Sequence, residues 1–352
     1  MSTETSTPST SSARKLPYYQ AMVEAIRQEM EADSSVFCMG EDVGAMGGVF
    51  QSTVGLHKQF GSERVRDTPI SETAILGFAL GAAAQGMRPI AELMFVDFVG
   101  VCFDQILNNI SKTHYMSGGS VKLPLVITAS TGGGICDAAQ HSQTLHGLFA
   151  HVPGIKVVVP SNPYDAKGLM TSAIRDDNPV VYLFHRGLMN LPVMGYIEAP
   201  AFGTEVPAES YTVPFGEARV VREGTDVTIV AFAQMVQKAL AAAEILTTLG
   251  ISVEIIDPRT IVPLDREAVV RSVGKTGRLL VADEDYLSFG VTGEIAALIA
   301  ERLDDISLKA PVRRLALADA PVPQSKVLEL AAIPQVDRFV DAVQGLMKAK
   351  VR

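Results

Sequence analysis

Apolar residues between positions 16 and 30 recur at helical spacing and stop before Asp33, so the first element is predicted to be a helix. The run Val36-Phe37-Cys38-Met39, closed by Gly40, predicts a buried strand, and a glycine-rich loop, GEDVGAMGGVF (40–50), follows it. Residues 65–90 read as a strand or turn and then a helix with many small residues. RPIAELMFVDF (88–98) predicts a strand leaving toward a loop, and a helix over 102–116 ends at Gly118-Gly119. LPLVITAS (123–130), IKVVVP (155–160) and PVVYLF (179–184) are three more β-branched runs, with a helix near 165–176 between the last two. Residues 187–215 contain Pro and Gly without a clear period. Beyond them the alternation resumes, with strands at 226–232, 252–258 and 278–284 and helices at 234–249, 265–274 and 293–303. The strands are continuously apolar and alternate with helices, which predicts parallel sheets covered on both faces. The fold class is therefore α/β: a disordered tail at 1–14, a domain at 15–190, a linker at 191–214 and a smaller domain at 215–352.

Composition narrows the class of protein. A chain of 352 residues can bury two cores, and 47% hydrophobic with 20% charged residues describes a folded chain. A net charge of −9 argues against nucleic acid and anionic lipid as partners. Cys38, Cys102 and Cys136 are widely spaced with no CxxC pair, so neither a disulfide framework nor a zinc site is expected. Reduced, buried thiols in a cytoplasmic protein are the expectation. No apolar run approaches the ~20 residues of a membrane helix. The segment MSTETSTPSTSSARK has no apolar centre, so it is not read as a secretory signal.

Four features could carry chemistry, and each also has a plain structural reading. In Asp67-Thr68-Pro69-Ile70-Ser71-Glu72, Thr68 or Ser71 is placed to cap the next helix, and Glu72 falls near the positive end of its dipole. The helix itself, ETAILGFALGAAAQG, carries Gly77 and Gly81 on one face, which suggests close approach of another backbone, at a subunit interface or in a crowded core. Phe95 and Phe98 leave the end of a strand, where ligands of α/β sheets gather, and either ring could stack a heterocycle or simply fill the core. His141 follows the glycine loop at 132–134 in a polar context, suited to proton transfer near neutral pH or to a structural role.

In their order and spacing these segments resemble the beta subunits of the decarboxylating component of 2-oxoacid dehydrogenase complexes. GEDVG with GGVF, DTPISE, RPIAELMFVDF and FDQILN (103–108) match, as do YMSGG (115–119) and AAQHSQ (138–143). So do DAKGLMTSAIRDDNPVV (165–181), VPFGEA (213–218), IDPRTIVPLD (256–265) and DAPVP (319–323). The resemblance, over about 16–340, implies a transketolase-like pyrimidine-binding domain followed by a transketolase C-terminal domain. It further implies that Glu72 contacts the pyrimidine ring of thiamine diphosphate, that Phe98 packs on that ring, and that Glu41 lies beside it. A carboxyl group sharing a proton with the ring nitrogen favours the imine tautomer of the cofactor, which removes the thiazolium proton. His141 matches an active-site histidine that handles protons or orients intermediates in transfer to a lipoyl group. Leu125, Ala173, Ile174, Asp176 and Asn178 match a potassium site built mainly from carbonyl oxygens.

The sequence holds no Gly-Asp-Gly, the family's magnesium-binding motif, and Gly40-Glu41-Asp42 lacks the second glycine. Magnesium is thus expected on a separate alpha subunit, in a two-alpha, two-beta heterotetramer serving a lipoyl acyltransferase core. Gln324 after Pro323, and the long segment 185–211, depart from the family pattern at places that bear on partner contacts. ELMFVDF with DQILN, and PSNPYDAKGL (160–169), look closest to acetoin dehydrogenase beta subunits, with pyruvate next and branched-chain 2-oxoacids further off. The rival readings are a noncatalytic assembly homologue and a single-chain transketolase-like or deoxyxylulose-synthase-like enzyme, which would carry the diphosphate motif itself. A Rossmann dehydrogenase is disfavoured because no GxGxxG follows the first strand of either domain.

Overall fold

A computed structural model of the chain describes residues 14–189, 191 and 204–349. The expected tail up to residue 13, and the expected linker between 192 and 203, lie outside the described residues.

The first sheet is built from β1 (Val36–Gly40), β2 (Val65–Asp67), β3 (Arg88–Phe95), β4 (Val126–Thr131), β5 (Lys156–Val158) and β6 (Val180–His185). The second uses β7 (Arg219–Arg222), β8 (Val227–Ala231), β9 (Val253–Asp257), β11 (Leu279–Tyr286) and β12 (Arg313–Leu317), while β10 (Thr260–Val262) crosses back to the first. The orders are β10-β5-β6-β4-β3-β1-β2 and β12-β11-β8-β9-β7. Strands β1, β4, β6, β8 and β9 are buried at every residue, which is why they read as unbroken apolar runs. Only the edge strands depart from the expected parallel pairing: β10 lies antiparallel on β5, and β7 antiparallel on β9. Each of these strands lies at a sheet edge with a single neighbour to satisfy, and an antiparallel ladder closes its hydrogen bonds as well as a parallel one.

Three further differences bear on the site. The expected helix over 102–116 is broken into a 3-10 turn (Val96–Phe98), an α turn (Val99–Asp104), a π turn (Gln105–Ile110) and a short helix (Thr113–Met116). Two helices the pattern did not suggest, Lys326–Ala332 and Val336–Lys348, follow β12. The second buries Phe339, Val343 and Leu346, at one-turn and two-turn spacing, against the helix Gln234–Thr248. Residues 204–213, expected in the linker, are fastened to the first domain instead. Lys167 Nζ donates to the Pro207 and Glu209 carbonyls at 2.7 and 2.8 Å, and Ser172 Oγ to the Val213 carbonyl at 2.6 Å. Arg14, expected in the tail, forms an antiparallel bridge with Val206.

One apolar cluster runs through both domains, joining Phe149, Val157 and Val159 to Val230, Phe232 and Ile256. Beside it lie an Arg259–Asp165 ion pair at 2.8 Å and a Ser161–Asp257 hydrogen bond.

Candidate active site

The parallel register fixes where the chemistry gathers. Gly40 at the end of β1 pairs with Asp67 at the end of β2 and with Glu92 in β3, and Phe95 near the end of β3 pairs with Ser130 in β4. The segments holding Glu41, Glu72, Phe98 and His141 all leave the carboxyl ends of these four neighbouring strands. Ligands of open α/β sheets bind outside that edge.

Glu72 is the first residue of the helix Glu72–Ala84 and is 9% exposed. Neither Ser71 nor Thr68 caps that helix with its side chain: the Ser71 side chain makes no cap bond, and the Thr68 hydroxyl is buried without a partner. The chain enters instead through backbone, Thr68 N–H donating to the Gly40 carbonyl at 2.9 Å. No donor among the described residues hydrogen-bonds the Glu72 carboxylate, so its oxygens remain available to a ligand. Burial and the nearby Glu72 and Asp42 charges push the half-buried Glu41 carboxyl up. The same Glu72 charge, after burial, raises the Cys102 thiol, which lies one turn beyond Phe98.

Phe98 and His141 meet edge to face, 5.5 Å between ring centres, and Phe95 touches both at 5.4 and 4.8 Å. Phe95 is the core ring of the two, at 8% exposure, and Phe98 is half-buried. The His141 ring makes no hydrogen bond among the described residues.

His141 rides on a loop closed at its base by Gly132 N–H donating to the Gln143 carbonyl at 2.9 Å. Asp97 Oδ1 accepts from Gln143 N–H at 3.1 Å and from Nε2 at 2.9 Å. A side chain at Gly132, whose φ is +85°, would collide with the His185 ring, so that turn requires glycine. The second domain reaches this loop through Glu284 and Glu329. Glu284 Oε1 accepts from Gly133 N–H at 2.6 Å, and Glu329 accepts from Gly134 and Cys136 N–H at 2.8 and 2.9 Å. Asp97, Arg186, Glu284 and Glu329 were not singled out from sequence. Their partners lie too far along the chain for any local pattern to show them.

Residues 14–192 match the transketolase pyrimidine-binding domain family, and residues 216–339 the transketolase C-terminal domain family. The acetoin:2,6-dichlorophenolindophenol oxidoreductase beta subunit of Cupriavidus necator is 46% identical, covering 96% of this chain and 98% of that protein. The 2-oxoisovalerate dehydrogenase beta subunit of Bacillus subtilis is 43% identical over 94% of this chain and 98% of that protein. The pyruvate dehydrogenase E1 beta subunit of Staphylococcus epidermidis is 44% identical over 86% and 90%. The chain belongs to this family of dehydrogenase beta subunits. Among solved structures, this beta-subunit chain is similar to a split-gene transketolase described as an inactive beta4 tetramer. The TM-score is 0.75 at 25% identity, covering 96% of this chain and 100% of that one.

The domains are those of thiamine-diphosphate enzymes, and the beta-subunit site fits the pyrimidine end of that cofactor: an unpartnered carboxylate and an aromatic pair at one sheet edge. Its described residues do not fit the metal end, since no group of three or more His, Cys, Asp or Glu is arranged to hold an ion. The residues expected to hold potassium also take part in hydrogen bonds and packing within the chain. Arg88 Nη1 already donates to the Ile174 and Asp176 carbonyls at 2.9 and 3.1 Å. The Leu125 carbonyl accepts from Val180 N–H, the Asp176 carboxylate pairs with Lys156 and accepts from Asn178, and Ala173 is buried in the core. No helix among the described residues is long and apolar enough to cross a membrane.

Proposed function

We propose that this chain supplies the pyrimidine half of a thiamine-diphosphate site, completed by an alpha subunit in a two-alpha, two-beta heterotetramer. The assembly converts acetoin or pyruvate and hands the acyl group to a lipoyl-bearing acyltransferase. The observation that carries this reading is the Glu72 carboxylate, near-buried at a helix start and without an internal partner, close enough to Glu41 to raise its carboxyl, at the same sheet edge as the Phe98–His141 pair.

When bound, thiamine diphosphate supplies a carbon nucleophile and a sink for the electron pair left by C–C cleavage. Glu72 would hold the cofactor at its pyrimidine nitrogen and share a proton with it. Phe98 would pack on the ring and Glu41 would lie beside it. His141 orients the acyl acceptor or moves its proton. Magnesium belongs on the alpha subunit, because the acidic oxygens it requires are not grouped in the described residues here. The three unpaired cysteines support a reducing compartment, the cytoplasm; burial pushes the Cys38 and Cys102 thiols up to about 12.

An alpha subunit has a surface to meet. Phe78 on the Glu72 helix, and Ile70 and Val101 beside it, are 53, 82 and 64% exposed. Identities of 43–46% to the three kinds of relative do not separate their substrates. Dye-coupled and lipoamide-coupled assays of the reconstituted heterotetramer on acetoin and pyruvate choose between them. The test of the site is Glu72→Gln, which keeps size but cannot exchange the proton. Activity should fall about 10²–10⁴-fold while the heterotetramer still forms by gel filtration. Retention of most of the activity would refute the reading, as would tight stoichiometric binding of thiamine diphosphate and magnesium to the isolated chain.

A further inference from the structure

The loop that carries His141 is expensive to hold. Cys136 and Ala138 both sit at φ +63°, a region that strains any residue with a side chain. Gly132 and Gly134 are left-handed too. Between its closed base and His141, the described contacts that tie the loop's own backbone to another element are the N–H groups of Gly133, Gly134 and Cys136. All three donate to carboxylates of the other domain, Glu284 and Glu329.

We infer that Glu329, assisted by Glu284, is a positioning residue, through which the C-terminal domain sets the loop that presents His141. The geometry is specific. Glu329 is 1% exposed and points both oxygens at the loop, one at each of two N–H groups. Hydrogen bonds to an ionised acceptor are about twice as strong as neutral ones. Glu284 is itself held by His185 Nε2 at 2.9 Å, from the strand end beside the loop. Beneath them, the buried Arg186 guanidinium lies over the Phe95 ring at 5.2 Å and 3.6 Å from Asp137. Burial pushes that guanidinium down, and Asp97, Asp137, Glu284 and Glu329 oppose the shift, so it offsets the charge gathered here. Packing leaves the loop no slack: a Cβ on Gly133 would approach Ile333 Cδ1 at 2.8 Å and Glu329 Oε1 at 3.1 Å. The second domain thereby acts on the reaction through the loop that carries His141.

This inference rests on the role proposed for His141, and the test separates the two. Glu329→Gln keeps the shape but offers one acceptor oxygen in place of two. Hydrogen exchange on the full chain should rise about tenfold or more over 133–141, with exchange elsewhere and the thermal midpoint nearly unchanged. In the reconstituted heterotetramer, kcat with the lipoyl acceptor should fall about 10–100-fold with KM for the oxo substrate unchanged. His141→Ala should lose that step, and the dye-coupled rate of Glu329→Gln should fall much less. Unaltered exchange over 133–141 overturns the inference, as does a rise spread over the whole domain with a lowered midpoint. Should His141→Ala keep full lipoyl transfer, the catalytic assignment falls, while the exchange result still decides what holds the loop. If Glu329→Gln does not fold, Gly133→Ala perturbs the same contact from the loop side, and unchanged exchange there overturns the inference equally.

Discussion

Glu92 shows how much one residue can be governed by its surroundings. It lies in β3, 4% exposed, next to a cavity of about 10 Å³ lined by Ser52, Thr128 and Cys38, and a Cβ on Gly48 would come within 3.4 Å of its Oε1. Burial pushes its carboxyl up to about 7, with Ser52 pulling the other way. A carboxyl raised in the folded chain makes the native state bind more protons than the unfolded one between about pH 4.3 and 7. Stability therefore falls as pH rises through that window, by about 3 kcal/mol from this residue, and levels off above it. Glu92→Gln should remove that slope: its denaturation midpoint should match wild type near pH 4.5 and exceed it at pH 8. Equal slopes for both proteins would mean that the Glu92 carboxyl binds its proton alike in the folded and unfolded chains. Because Glu92 pairs with Gly40, the residue before Glu41, its charge state sits one residue from the proposed cofactor edge.

The helix Glu72–Ala84 settles at its own scale what its glycines are for. From sequence, a crowded core and a subunit contact explained Gly77 and Gly81 equally well. A Cβ at Gly81 meets nothing within 4 Å, and one at Gly77 meets the Gln105 side chain, at 3.7 Å from Oε1 and 3.9 Å from Cδ. Crowding within the chain is therefore not the reason. Since glycine weakens a helix interior, Gly81→Ala should stabilise the isolated chain by about 0.5–1 kcal/mol in urea. Gly81→Leu should leave that chain folded yet prevent copurification of the alpha subunit. Normal assembly with leucine would exclude this face as the contact. The π turn Gln105–Ile110 packs on the same helix, and such turns gather at functional sites.

Across the whole molecule, two domains act as one body because polar groups cross between them as well as apolar ones. Asp165 is fully buried and pairs with Arg259 from the far side of the linker. Arg259→Met should destabilise the chain by about 3–5 kcal/mol, since it strands a buried carboxylate. A midpoint within error of wild type would show that pair to be dispensable. The alternation of helix and strand and the buried strands were legible in the sequence, because continuous apolar runs and glycine punctuation are local signals, whereas Glu41 and the site roles of Glu72, Phe98 and His141 came only from the family resemblance. The break in the helix after Phe98, the crossing of β10 and the late helices at 326–348 were not, since short apolar runs look alike in either conformation. Nor were the roles of Glu284, Glu329, Asp97 and Arg186 legible. Each becomes meaningful only when folding brings it to groups 46–195 residues away. The strands' order along the chain determined which edge would hold the chemistry; only the packing of the second domain against the first decided what holds His141 there.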